Sequence, residues 1–144
     1  MKKTIINLSS LLLLVACNNN QPASEKPVKS PIDSLMDLVM HGHDEGMGRI
    51  GRLEKASQEL THKIDSIKQA SKVNQQLLAS WQKAQKDLAL ADSSMNRWMD
   101  SFDIDMEGMD SIAKTKYLQL NEKWVSGIAD SVKTALDKAD SLLQ

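Results

Sequence analysis

Residues 75–102 read QQLLASWQKAQKDLALADSSMNRWMDSF. Within them Leu77, Trp81, Ala84, Leu88, Ala91, Met95, Trp98 and Phe102 recur at alternating steps of three and four. That spacing gathers them on one face of an α-helix, where an apolar stripe is buried against partner helices. Neither Gly nor Pro interrupts the run from Ser71 to Ser101. A half-buried strand would alternate with period two, and no stretch of the chain does so.

Two further stripes flank this one. Ile50, Leu53, Ser57, Leu60, Ile64, Ile67 and Ser71 step in the same way, and Tyr117, Leu120, Trp124, Ile128, Ala135, Ala139 and Leu142 make a third helical stripe. The pattern predicts an all-α fold, an antiparallel three-helix bundle or helical hairpin with coiled-coil-like packing. Its helices span about 32–71, 74–102 and 111–142, with Asp33, Asn74 and Asp110 as candidate caps. The joint at Lys72 to Gln75 has Asn74 as its single turn-former. A turn is preferred there, because one helix from 32 to 102 would be ~105 Å long with its stripe largely uncovered. Asp103 to Asp110 reads plainly as a loop. A hairpin about Lys72 sets Met47 opposite Trp98, His43 opposite Phe102, Met40 opposite Met106 and Met36 opposite Met109. Self-association, for instance as a trimeric coiled coil of longer helices, is the alternative assembly.

Upstream the composition changes. Asn18 to Pro31 holds three consecutive Asn and Pro22, Pro27 and Pro31, with no apolar period. Such a stretch makes a disordered tether, at ~3.1 Å per residue where it is polyproline-like. Before it come Lys2 and Lys3, an apolar run from Ile5 to Ala16, and Leu14-Val15-Ala16-Cys17. About a dozen apolar residues are too few to span a bilayer, which takes ~20, so the segment reads as a signal peptide. These parts in this order resemble the signal and lipobox of bacterial lipoproteins. The resemblance implies that residues 1–16 are removed and that Cys17 carries diacylglycerol and an acylated (palmitate-type) amino terminus. It implies lipid anchoring in the cell envelope. Asn18 is not the Asp that holds lipoproteins at the inner membrane, which favours the outer membrane with the leaflet open. Cys17 is the only cysteine, so lipidation leaves no disulfide, catalytic thiol or thiolate ligand.

The chain of 144 residues has a formal net charge of −1, more negative by two once Lys2 and Lys3 are removed. No basic patch argues for nucleic acid. Residues 32–144 are enough for one domain.

Chemistry is sparse along the helices. The methionines after the signal fall in two windows, Met36, Met40 and Met47, then Met95, Met99, Met106 and Met109. The hairpin register brings both windows to the end of the bundle far from the Lys72 turn. His43, three residues after Met40 and four before Met47, shares their helical face. Thioethers at helical spacing ordinarily fill core gaps and touch aromatic rings. The sharper reading is a site for copper(I) or zinc, with His43, Met40 and Met47 from helix one and Met95 or Met99 from helix two. His41 and His43 point about 200° apart on a helix and could share an ion only if the helix opens. Gly42, Gly46, Gly48 and Gly51 each cost about 1 kcal/mol against Ala in a helix, so a kink within 41–51 is expected. An opened segment would add Asp44 and Glu45 to the candidate ligands.

Asp103, Asp105, Glu107 and Gly108 occupy positions one, three, five and six of a calcium loop. Lys114 stands where the bidentate Glu is needed, and Asp110 where an apolar residue is usual. An acidic solvated turn is the better reading. Glu59-x-x-His62 is half of a di-iron ligand set without its counterpart. No strand-turn-helix presents a nucleophile, and no glycine-rich turn follows a strand. Enzyme is the least favoured class.

Three runs taken together carry a second resemblance. They are Val39-Met40 with His43-Asp44-Glu45 and Met47; Leu88, Ala91-Asp92, Met95, Trp98-Met99 and Phe102; and Tyr117-Leu118, Glu122-Lys123 and Ile128. They resemble small helical bacterial lipoproteins often labelled "viral A-type inclusion protein". That resemblance implies a lipid-anchored helical bundle and nothing catalytic, with His43, Asp44, Glu45, Trp98 and Met99 as its motif residues. Where relatives often read Met-Pro-Lys, this chain has Met47-Gly48-Arg49. The expected function is a non-enzymatic interaction or structural module with an unidentified envelope protein as partner, or metal binding at the Met- and His-rich end.

Overall fold

The computed structural model describes residues 29–144. The signal peptide, Cys17 and most of the expected tether lie outside them. The described chain forms α1 (Pro31–Met47), α2 (Ile50–Lys68), α3 (Gln75–Ser101) and α4 (Ser111–Leu143). It is an all-α bundle of three rods, the first of which is divided into α1 and α2.

Each rod begins where local chemistry can satisfy free backbone donors. Ser30 rather than Asp33 caps α1: its side chain accepts from the Asp33 N–H, and the Asp33 carboxylate accepts from the Ser30 N–H. Pro31 takes the first helical position, where a missing N–H costs nothing. Asn74 and Asp110 cap α3 and α4 as expected, accepting from Leu77 N–H and Ala113 N–H. At the far end the Trp81 indole donates to the Leu142 carbonyl at 3.2 Å. It thereby satisfies one of the orphan carbonyls in the last turn of α4.

The break between α1 and α2 is narrow. Gly48 (φ −60°, ψ −13°) and Arg49 (φ −107°, ψ −10°) stay in the right-handed region, and no side chain caps α2. The Arg49 N–H turns to the Gly46 carbonyl three residues back, the tighter spacing of a 3₁₀ turn. The rod is therefore bent rather than opened. Its bend falls at Gly48, one of the four suspect glycines, and at Arg49, not across the whole of 41–51.

Contacts fix the directions. Thr61 and Gln85 are hydrogen-bonded at 2.7 Å and Lys63 lies over the Trp81 ring, so α2 and α3 are antiparallel. Asp87 pairs with Lys138, and Trp98 with Asn121, so α3 and α4 are antiparallel too. Gly42 lies beside Val125 and Ser126, Gly46 beside Ala129, and Arg52 pairs with Asp140. The first rod accordingly runs parallel to α4, and α1 packs chiefly on α4 and only slightly on α3.

The core is the stack of inward stripes: Leu53, Ala56, Leu60 and Ile64 from α2; Trp81, Ala84, Leu88, Ala91, Met95 and Trp98 from α3; Leu118, Val125, Ile128, Val132, Leu136 and Ala139 from α4. A fully buried Leu such as Leu60, Leu88 or Leu118 contributes about 1.5–3 kcal/mol by leaving water. The stripe of α3 matches its expected positions. The stripe of α4 matches in its second half, where Ile128, Ala135 and Ala139 are buried, but not in its first: Leu118, Asn121 and Val125 are buried, while Leu120 and Trp124 are 60% and 46% exposed. There the seam lies one residue further along than the apolar spacing suggests, since a polar Asn occupies it and lowers its apolar count below that of the neighbouring row.

Candidate functional site

The end of the bundle where α3 stops and α4 starts holds a continuous aromatic column. His43 on α1 tilts against Trp98 with ring centroids 5.6 Å apart. Trp98 stacks on Phe102 at 4.8 Å and 19°, and Phe102 on Tyr117 at 5.8 Å and 14°. Near-parallel rings at these separations suit offset stacking, in which the planes stay parallel and slide sideways so that the rim of one ring lies over the face of the next.

Hydrogen bonds tie the column to its surroundings. The Trp98 Nε1–H donates to Asn121 Oδ1 at 3.1 Å, and Asn121 Nδ2 donates to the Tyr117 carbonyl at 3.0 Å. Asn121 is the buried polar side chain among the described residues. Both ends of its amide are used, so its burial carries no desolvation penalty from an unmet group. The Tyr117 hydroxyl accepts from the Asp103 N–H at 2.7 Å, which closes the column against the 102–110 loop.

That loop is shaped by its own backbone. Asp103 Oδ1 accepts from the N–H groups of Asp105 (3.1 Å) and Met106 (3.0 Å), an Asx-type turn. Met106 sits at φ +49° with its side chain buried, and Gly108 follows at φ +72°. Left-handed backbone is disfavoured for a residue with a Cβ, and here the buried thioether holds it in place. The loop is thus an Asx turn pinned by a buried Met. Its first acidic residue directs an oxygen to its own backbone.

The candidate metal ligands do not face one another as the hairpin register would have them. His43 lies on Trp98, four residues from its expected partner Phe102, a shift of one helical turn. Met95 is fully buried and its Cε occupies the space where a Cβ on Gly46 would lie, so its methyl fills the notch that Gly46 leaves. Met40 and Met99 are half-buried, and Met47, expected to face Trp98, is 37% exposed. His43 is 21% exposed at its side chain and its Nδ1 is 2.9 Å from Asp44 Oδ1. Glu45 instead pairs with Arg49 at 3.0 Å along the helix. Among the described residues no three His, Cys, Asp or Glu side chains converge on a common point. Glu59 and His62 are both exposed on α2.

The physical cause of the shift is the pair Gly42 and Gly46. Both are buried, and they let α1 close onto α4 around Val125 and Ala129 instead of lying squarely on α3. Read along the chain these glycines look like helix breakers; in space they are the seam. Sequence reasoning also missed Asn121, for which the signal was its place three residues after Leu118 and four before Val125. The motif residues divide accordingly: His43, Trp98 and Met99 belong to the packed column and its margin, Asp44 and Glu45 to the exposed side of α1.

Asp87 is the other charged center with character. Its carboxyl is held below the usual carboxylate range by hydrogen bonds from Lys138 and then Lys83, at 3.0 and 3.1 Å. It borders an open groove between α3 and α4 with Leu90, Ser94, Ser131 and Thr134.

No protein-family model, curated protein or solved structure matches the chain.

Proposed function

We propose that this chain is a lipid-anchored protein of the bacterial envelope, acting as a non-enzymatic interaction or structural module. The observation that carries the anchoring is Leu14-Val15-Ala16-Cys17 behind Lys2, Lys3 and the apolar run Ile5 to Ala16. What supports a module working through surfaces is the fate of the chemically interesting end. Its imidazole, indole and carboxamide are stacked or hydrogen-bonded to one another, and the Met95 thioether fills a packing notch. The groups most able to do chemistry are engaged in holding three rods together. The long exposed flanks of α3 and α4 are left as the surfaces a partner would meet.

Two measurements test this. Mass spectrometry of the chain purified from bacterial membranes should find an acylated Cys17 at the amino terminus, and Cys17→Ser should move the protein out of the membrane fraction. An unmodified Cys17, or membrane retention of the variant, would overturn the anchor. Photo-crosslinkers placed on exposed flank positions such as Ser93 or Lys133 should then give one reproducible envelope adduct that core-facing controls do not give.

A further inference from the structure

Rotation of the α4 seam leaves large apolar side chains on the outside. Ile112 is 82% exposed, and Leu120 and Trp124 are uncovered as noted above. On a helix of 3.6 residues per turn, Ile112, Lys116, Leu120, Lys123 and Trp124 fall within an arc of about 120°. Both lysines are exposed. The arc therefore interleaves two cations with an Ile, a Leu and a Trp, the composition of a helix that lies in a membrane interface. Trp in particular suits that boundary, with an apolar body and one N–H for the headgroups.

The position of this arc says which surface it meets. Gly42 is level with Val125 and α1 is parallel to α4, so eleven residues earlier Pro31 is level with Lys114. The chain arriving from Cys17 thus enters beside the start of α4. The twelve residue-to-residue steps from Cys17 to Lys29 can reach at most ~40 Å, and Trp124 lies only ~15 Å along α4 from Lys114. An anchored bundle can therefore lay this flank on the bilayer without straining its tether. Charge decides between lying down and standing up. The loop at the tip carries Asp103, Asp105, Glu107 and Asp110, which anionic headgroups repel. The flank carries Lys116 and Lys123, joined by exposed Arg97 on the adjoining α3, which they attract.

We infer that the Ile112–Trp124 flank of α4 is a membrane-docking face that lays the bundle side-on against the phospholipid surface to which Cys17 anchors it. The inference rests on the anchoring reading, and the test separates the two. The full acylated chain is reconstituted in phosphatidylethanolamine–phosphatidylglycerol vesicles with brominated acyl chains, and flotation and Trp fluorescence are read together. Trp81 and Trp98 are buried, so quenching reports Trp124. The expected result is flotation with at least a twofold loss of the Trp124 signal, absent in Trp124→Phe. In Lys116→Glu/Lys123→Glu, which alters only exposed positions, the chain should still float while the quenching is lost. Failure to float overturns anchoring and docking together. Flotation with no Trp124 quenching, or with quenching unchanged by the double substitution, overturns docking alone. A dimeric mass with Trp124 shielded from iodide but not quenched by the brominated chains gives the face to a second copy, and likewise overturns it.

Discussion

The indole N–H of Trp98 and the side-chain oxygen of Asn121 meet at 3.1 Å inside an otherwise apolar interior. A single polar contact of this kind fixes how two helices slide against each other, since any other register leaves a buried donor unmet. Asn121→Ala is expected to lower unfolding free energy by about 1–3 kcal/mol. Adding Trp98→Phe to it should cost less than the two single changes summed, because the second removes the stranded donor. Urea denaturation of the four proteins of this cycle measures the coupling; strict additivity would show the bond to be idle.

Gly42 and Gly46 set the distance between α1 and α4. A Cβ on Gly42 would lie 2.9 Å from Val125 Cγ1 and 3.3 Å from Ser126 Oγ. Valine is stiff at χ1, so Gly42→Ala should destabilise by about 1–3 kcal/mol through overpacking. At Gly46 the obstacle is the far end of Met95, a flexible side chain, and the expected loss is smaller. Gly127→Ala meets nothing within 4 Å and should stabilise by up to about 1 kcal/mol through helix propensity. Thermal unfolding of the three variants ranks them, and equal losses at 42 and 127 would contradict the close approach.

The seam of α4 can be located by truncation. Leu118→Ala removes a fully buried side chain and should cost about 2–5 kcal/mol. Leu120→Ala, two residues on, should stay within about 0.5 kcal/mol, as surface substitutions do. The reverse ranking in chemical denaturation would restore the row Tyr117, Leu120 and Trp124 to the interior.

Acid should loosen the pairing of α3 and α4. Asp87 has its folded-state pKa lowered by Lys138 and Lys83. Its contribution is therefore present above the unfolded value of about 4 and is lost as pH falls through the folded one. The pair is partly exposed, so Asp87→Asn should cost only about 0.5 kcal/mol at pH 7 and less at pH 2. Denaturation at the two pH values checks this, and a variant equally destabilised at both would remove the ion pair as the cause.

Copper(I) and zinc titrations of the whole chain should give the same weak binding with and without His43→Ala. The expectation follows from Met95 being lodged against Gly46 and Met47 pointing outward. Tight binding abolished by the substitution would instead establish the metal site.

The fold was legible where apolar residues alone draw the stripe. The row from Leu77 to Phe102 in α3 is inward-facing as spaced, and Asn74 and Asp110 cap their helices because a side-chain oxygen before an apolar run has few other uses. Legibility failed where a residue's role depends on a neighbour distant in sequence. Gly42 and Gly46 look costly until Val125, Ala129 and Met95 are beside them. Asn121 looks solvated until Trp98 supplies its donor, and with it misplaced, Leu120 and Trp124 look buried. The aromatic column was half visible: Trp98 and Phe102 share one stripe, but the placement of His43 on Trp98 depended on a one-turn shift that only the glycine seam explains.

The parallel pairing of α1 with α4 has a consequence for the order in which the chain assembles. The α2–α3 hairpin joins near neighbours across a short turn, and α4 can fold back on α3 as soon as it is made. The chief partners of α1, by contrast, lie on α4, beyond the whole α2–α3 hairpin. Contacts so far apart in sequence close a large loop and form late. The α1 segment therefore waits for α4, and its end of the bundle is completed last.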